Sequence, residues 1–429
     1  MTTWSASPEF RSRFSLGSLA SRFGAYHALF LICLIQFSTA WYWASLDLSE
    51  KNLEGGAPFS VPFRYLTWAA IAACTAVYLY TRSGRTLAQV LAPFGAFLLI
   101  GVLATPLGDS LVTSVRTLLF WFLMAFGAAT CGLMLPPRHS LKILFWTLFA
   151  MLAGSLVVSV VFPDWGTHLY GFDMVWRGLF QRKNSLGIAA MWALVIAYFA
   201  LPTMGPLKAG TLFALSAICL VMSGSAGSLA VSLGALGFFA LLATLIRARL
   251  STALGSGLLI GTVLALVLAT LYLWEPVTTA LGRDPTLTGR TVIWSMYLDE
   301  VQGHWLIGRG PGAFSPGSAI SDRLFDLLLP FGAIRQPHSS YIMAIGEGGY
   351  LGLAAYVGAL FYVAFVAPFR MRTPESLAAA LAAFLVLMGG LIEGRGVYNT
   401  SFEAFLLIYF RALAVRSVLP DYPYGRRTL

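Results

Sequence analysis

Runs of roughly twenty apolar residues recur along this 429-residue chain, separated by short gaps, and that recurrence restricts the fold more than any other feature. A hydrocarbon layer about 30 Å thick offers backbone amides no water, so each crossing must satisfy its own hydrogen bonds as a helix. The runs predict spans near residues 26–45, 62–80, 90–104, 111–135, 141–161, 186–203, 209–222, 226–246, 253–273, 341–367, 377–392 and 400–417. The third, seventh and eleventh are short. Hydrophobic residues are 58% of the chain and charged ones 11%, too little polar surface to cover a water-soluble core of this size. No gap between the runs is free of apolar segments for long enough to hold a separate soluble core. The expected fold is therefore all-α, one polytopic membrane domain of about twelve helices.

Sidedness follows from Lys and Arg, which short cytoplasmic loops retain. With the N-terminus inside, the cytoplasmic segments carry Arg11, Arg13 and Arg22; Arg82 and Arg85; Arg138 and Lys142; Lys208; Arg247 and Arg249; Arg370 and Arg372; and Arg416, Arg426 and Arg427. Their acids are Glu9, Glu375 and Asp421, whereas the opposite loops hold Asp47, Glu50, Glu54, Asp109, Asp164 and Asp173. The alternation persists through all twelve runs and puts both termini in the cytoplasm. The first run is longer than a signal-peptide core and follows a basic, Ser-rich stretch, so residues 1–25 read as a loosely ordered cytoplasmic tail. Residues 418–429 form the matching C-terminal tail, after spans over 26–274 and 341–417.

The net charge of +10 does not point to nucleic acid, because fifteen of the twenty-eight Lys and Arg are these cytoplasmic residues, placed by topology and anionic headgroups. Membrane lipids are the partners this charge implies. Cys33, Cys74, Cys131 and Cys219 all fall within apolar runs without metal-ligand spacing, so they read as packing residues, with no disulfide, metal or cofactor expected.

One segment departs from a plain bundle: residues 275–340, placed outside between spans nine and ten. Loops of this length usually carry function. Five arginines (Arg283, Arg290, Arg309, Arg323, Arg335) face six acids (Glu275, Asp284, Asp299, Glu300, Asp322, Asp326), so the loop offers individual cations and no bulk charge. After Thr288-Gly289-Arg290, the residues Ile293, Tyr297, Val301 and Trp305 recur every fourth position, predicting an amphipathic helix on the membrane surface or over a cavity mouth. Arg290 sits at its first turn, where free N–H groups already favour an anion. Spacing alone leaves two roles for it: ligand binding, or pairing with a loop acid such as Asp284.

Gly308-Arg309-Gly310-Pro311-Gly312 then forces a turn with exposed backbone, and Arg335-Gln336-Pro337-His338-Ser339-Ser340-Tyr341 leads into span ten. That span opens with Glu347-Gly348-Gly349-Tyr350-Leu351-Gly352, so a histidine, an arginine and a carboxylate approach the membrane face together. Histidine's ordinary pKa, about 6.5, suits proton abstraction near neutrality, although an interfacial His also serves simply to hydrogen-bond a helix start. His27 and His139 lie at cytoplasmic ends, His168 in another outer loop and His304 on the amphipathic helix. Before span six, Arg177, Arg182 and Lys183 break the positive-inside pattern. They fit snorkelling to lipid phosphates or the binding of a membrane-anchored diphosphate. Arg116, early in span four and near the outer face, is a further candidate because an intramembrane Arg usually has a partner or ligand.

These residues resemble the O-antigen ligase superfamily of membrane glycosyltransferases, which also contains polysaccharide polymerases and protein O-oligosaccharyltransferases. The resemblance rests on Gly289-Arg290 followed by Trp294, the Gly308–Gly312 turn, His338 to Gly352 running into a span, Lys183-Asn184, and the twelve-span layout. It implies a metal-independent enzyme that takes a glycan from an undecaprenyl diphosphate carrier at the periplasmic face of the bacterial inner membrane, with residues 275–340 as a periplasmic catalytic loop. In the ligase branch the acceptor is the lipid A core. By the resemblance, His338 is the base that deprotonates the acceptor hydroxyl, with inversion at the anomeric carbon, and Arg290 stabilises the departing diphosphate. Arg182, Lys183 and Arg309, with Arg116 and Arg335, would hold carrier or glycan phosphates.

Two positions depart from the family pattern: Ser339 stands where many relatives have Asn, and Arg182 where polymerase-like members often have His. The second favours a ligase. A secondary transporter is the competing class, since Thr81-Arg82-Ser83-Gly84-Arg85 faintly resembles a major-facilitator loop. That loop lacks the expected Asp, the halves do not repeat, and the long loop is outside after span nine.

Overall fold

The computed structural model describes residues 16–40, 60–170, 173–280, 290–328, 335–391, 393–394 and 397–419. Of the residues singled out above, Glu9, Arg11, Arg13, Asp47, Glu50, Glu54, Arg283, Asp284, Thr288, Gly289, Asp421, Arg426 and Arg427 lie outside that set.

Helices occupy every predicted apolar run. In chain order they are α1 (Leu16–Ser38), α2 (Ser60–Thr81), α3 (Gly84–Leu91), α4 (Gly95–Ala104), α5 (Leu111–Met134), α6 (Pro137–Val161), α7 (Lys183–Met204), α8 (Pro206–Met222), α9 (Ala226–Arg247) and α10 (Thr252–Ala280). After them come α11 (Arg290–Asp299), α12 (Ala319–Leu328), α13 (Ser340–Phe361), α14 (Ala367–Met371), α15 (Pro374–Gly389) and α16 (Phe402–Ser417). A 3-10 turn at Ala92–Phe94 joins α3 to α4, and a π turn at Tyr362–Val366 joins α13 to α14. The first helix begins at Leu16, inside the segment read as a loose tail, and no proline interrupts the sequence from there to the first apolar run.

Seven helical stretches among the described residues are long and apolar enough to cross a membrane: Gly84–Leu107, Leu111–Met134, Pro137–Val161, Lys183–Met204, Ala226–Arg247, Thr252–Ala269 and Ser340–Met371. Three shorter apolar helices, Gly24–Ser38, Pro206–Met222 and Pro374–Gly389, accompany them. The protein is thus an all-α polytopic membrane protein in its bulk, with seven stretches meeting the length criterion where twelve runs were read. The physical reason for part of that difference lies in α16. It is only 16 residues long and carries Glu403, Arg411 and Arg416, yet almost every residue from Phe402 to Val415 is buried. A helix enclosed by protein on all sides need not meet the composition that lipid demands.

Helices α5 and α15 pack on α16, and small residues allow the approach. At Gly132 a Cβ would lie 2.6 Å from Ala412 Cβ and 2.7 Å from Tyr409 O, so nothing larger than glycine fits between α5 and α16. The four cysteines are free, three buried and Cys74 half-buried, within α1, α2, α5 and α8.

Two elements in the loops were not anticipated. A two-stranded antiparallel hairpin, β1 (Thr167–Tyr170) and β2 (Asp173–Trp176), sits before α7, an exception to the all-α reading. Within the long loop, α12 buries Ile320, Leu324 and Leu328, which recur at helical spacing. The expected amphipathic helix is α11, shorter than its periodicity suggested. Ile293 and Tyr297 face inward on it, but it ends at Asp299, and Gly303 with φ 80° turns the chain, leaving Val301 and Trp305 beyond the helix.

Candidate functional site

The glycine-rich turn is built from backbone contacts. Gly308, Gly310 and Gly312 all have φ between 78° and 86°, a region open to glycine. A Cβ on Gly308 would lie 2.5 Å from Gly349 N, and one on Gly349 2.3 Å from Leu306 C. Gly349 itself, at φ 65° and ψ −165°, kinks α13 and releases its amides outward. They are taken up by the loop: Tyr350 N donates to Trp305 O at 2.8 Å and Leu351 N to Leu306 O at 3.2 Å. Arg309 N in turn donates to Gly346 O at 2.7 Å. The Glu347–Gly352 motif and the Gly308–Gly312 turn are therefore two halves of one main-chain seam.

Three loop arginines have carboxylate partners. Arg309 Nη1 lies 3.6 Å from Asp109 Oδ1, and its Nε donates to Glu300 O at 2.5 Å. Arg323 pairs with the Glu300 carboxylate. Arg335 Nη1 lies 3.3 Å from Asp322 Oδ1, with its guanidinium stacked 4.0 Å from the Phe325 ring centroid. These pairs brace the loop against α12 and against the segment before α5, and Arg309 and Arg335 would have to share their charge with any ligand.

His338 stands just before α13, at φ 50°, with Ser339 capping the helix by accepting from Ile342 N. A left-handed conformation is uncommon for a residue with a Cβ and persists only where the surroundings hold it. Here Ser340 N donates to Gly390 O at 2.8 Å, Ser340 Oγ donates to Glu393 O at 3.2 Å, and Gly394 lies so close that an added Cβ would meet His338 N at 3.0 Å. Trp294, one turn into α11 from Arg290, donates its indole N–H to Pro337 O at 2.8 Å. That bond ties the arginine's helix to the histidine's peptide.

The carboxylate beside His338 is Glu393, and it comes from the far side of the sequence. His338 Nδ1 lies 3.4 Å from Glu393 Oε2, with the two side chains 20% and 12% exposed, and Asn184 Nδ2 donates to Glu393 Oε1. Glu347, the acid that sequence placed with this histidine, is fully buried behind the glycine turn, where it accepts from Ser315 Oγ at 3.3 Å. Glu393 also borders a partly open cavity of about 60 Å³ whose wall includes Ser225, Ser228, Ser340 and Glu403.

Asn184 brings the second cationic group to the site, because Arg182 and Lys183 immediately precede it at the N-terminus of α7. Arg182 is exposed at the N-cap and offers no side-chain cap, so the positive end of the α7 dipole adds to the charge of the two basic side chains. The field there is positive: burial, then Arg177 and Lys183, hold His168 on the neighbouring hairpin below its ordinary pKa. Arg116, by contrast, is exposed on α5 and joins this cluster through no hydrogen bond or ion pair among the described residues. No three His, Cys, Asp or Glu side chains converge among those residues in a way that could hold a metal.

Among the described residues, the fold and this cluster define a helical membrane protein whose His338–Glu393 pair is linked through Asn184 to the start of α7 and through Trp294 to the helix that begins with Arg290. Residues 211–357 match a family model described as O-Antigen ligase, which extends over Arg290, Trp294, Arg309 and His338 but stops before Glu393 and begins after Lys183. The chain is also 26% identical over 279 residues to the exopolysaccharide production protein ExoQ of Rhizobium meliloti (strain 1021), an alignment covering 61% of this chain and 64% of that protein. It therefore spans less than two thirds of that relative's length. The resemblance read from the motifs holds over the matched residues.

Proposed function

We propose that this protein is a membrane glycosyltransferase of the ligase and polymerase type, transferring a glycan from undecaprenyl diphosphate to the lipid A core at the periplasmic face of the inner membrane. The observation that carries the reading is the His338–Glu393–Asn184 chain, which links His338 to the residue after Lys183, while Trp294 links its peptide to the helix that begins with Arg290. The O-antigen ligase match over residues 211–357 supports the same reaction class.

In this scheme the Nδ1–H of His338 points to Glu393, leaving Nε2 to take the proton of the acceptor hydroxyl. The acceptor oxygen forms its bond to the anomeric carbon as the bond to the diphosphate oxygen breaks, inverting the centre. Negative charge collects on the diphosphate, where Arg290, Arg182 and Lys183 neutralise it. Arg309, Arg335 and Arg116 would help to hold phosphates of the carrier or glycan, the first two while still paired with Asp109 and Asp322. A diphosphate is already a good leaving group, so a base worth about 10² to 10⁴-fold and fixed positive charge suffice.

A polymerase that joins lipid-linked repeat units is the second reading, favoured by the likeness to an exopolysaccharide production protein. Purified protein supplied with a lipid-linked glycan separates the two. A ligase forms product only when lipid A core is present, a polymerase lengthens the glycan without it, and uptake of a small solute by proteoliposomes with no glycan transfer would overturn both.

A further inference from the structure

A second cavity, a widely open cleft of about 550 Å³, lies at the opposite end of the bundle, where α14 ends at Met371 and α16 at Ser417. It shares no lining residue with the cavity beside Glu393. Two of the helical stretches that line it are irregular. Pro93 has no N–H to give the helix, and the chain there tightens into the 3-10 turn between α3 and α4. On the other side Tyr362 opens the π turn, a geometry frequently found at functional sites.

Arg411 of α16 lines this cavity and is only 5% exposed. Among the described residues its neighbours are neutral: Nη1 lies 3.6 Å from Met371 Sδ, the Tyr362 side chain shares a hydrogen bond with the guanidinium and has its ring centroid 5.9 Å away, and Nε has no hydrogen-bond partner. Among the described residues no carboxylate pairs with it. Nearby arginines are otherwise engaged: Arg372 donates to Leu250 O at 2.6 Å and Phe369 O at 3.2 Å, and Arg416 to Leu135 O at 2.6 Å. Arg370 lies 5.8 Å from the same Tyr362 ring.

A guanidinium cannot shed its proton, so a buried one needs an anion to offset the cost of leaving water. The void beside Arg411 has room for a phosphate group and more. We propose that this cavity binds a phosphate-bearing anion, held by a charge-assisted pair with Arg411. The same chemistry is available from an anionic phospholipid headgroup in the bilayer and from a soluble phosphate.

The test uses the full-length protein in a neutral detergent. Its melting temperature is followed as phosphatidylglycerol, phosphatidylcholine or inorganic phosphate is added, and bound lipid is counted by native mass spectrometry. Phosphatidylglycerol is expected to raise the melting temperature of the wild type and leave one adduct that survives where phosphatidylcholine is stripped. If inorganic phosphate gives an equal rise, the ligand is the soluble anion; if only the lipid does, it is the headgroup. Arg411→Leu should weaken anion binding about tenfold or more while melting no lower than the wild type without anion. Ala92→Trp, at an exposed position on the cavity wall, should block binding with Arg411 intact and serves if the first variant does not fold. No shift in the wild type, or an undiminished shift in the variant that folds, would overturn the proposal.

Discussion

The His338 cluster stands at the start of α13 and the main-chain seam partway along it, yet the two are held together in opposite ways. At the seam, Gly308 and Gly349 bring two backbones so close that a methyl group has no place, and the bonds across it are amide to carbonyl. At the cluster, the contacts are made by side chains remote in sequence: Glu393 reaches His338, Asn184 holds Glu393, and Trp294 bonds the peptide before the histidine. The seam therefore fixes where α13 bends, and the cluster fixes what the histidine just before it can do. Substitutions in the first should be read out as stability and in the second as rate.

The largest effect is expected at Gly349→Ala, which adds a Cβ 2.3 Å from Leu306 C at a positive φ. A loss of about 3–5 kcal/mol is the scale of such changes, and size-exclusion chromatography should show little monodisperse protein. A well-folded, fully active variant would break the comparison. His338→Ala should leave melting temperature and membrane level near those of the wild type while glycan transfer falls by about 10² to 10⁴-fold. Glu393→Gln keeps the shape and the bond from Asn184 but removes the charge facing Nδ1. It should reduce kcat by about 10 to 100-fold with KM little changed, and Glu393→Asp should recover part of the loss. The smallest change is Trp294→Phe, which deletes one N–H bond to Pro337 O, worth about 1 kcal/mol, and so predicts a roughly fivefold lower rate at unchanged expression.

What was legible in the sequence follows the range of the interactions involved. Spans are local, since length and apolarity must both be present within one segment, and helices stand at all the predicted runs. That α16 is enclosed by its neighbours is a tertiary fact its own residues do not state. The spacing of Ile320, Leu324 and Leu328 was present to be read as α12, but a loop assignment hid it. At the site, His338, Arg290 and Lys183 announced themselves through motifs, whereas Glu393 lies 55 positions from its histidine in a short inter-helix segment. The available signal was a carboxylate among glycines between the last two apolar runs, and it was outweighed by Glu347, which is nearer in sequence but fully buried elsewhere.

The central claim is that Arg290, the start of α7 and His338 serve one substrate. A structure with a non-hydrolysable lipid diphosphate glycan bound tests it most directly. The account predicts the diphosphate between Arg290 and the Arg182–Lys183 helix start, with the first sugar's anomeric carbon facing His338. A diphosphate bound away from both helix starts, or a sugar out of reach of His338, would contradict it.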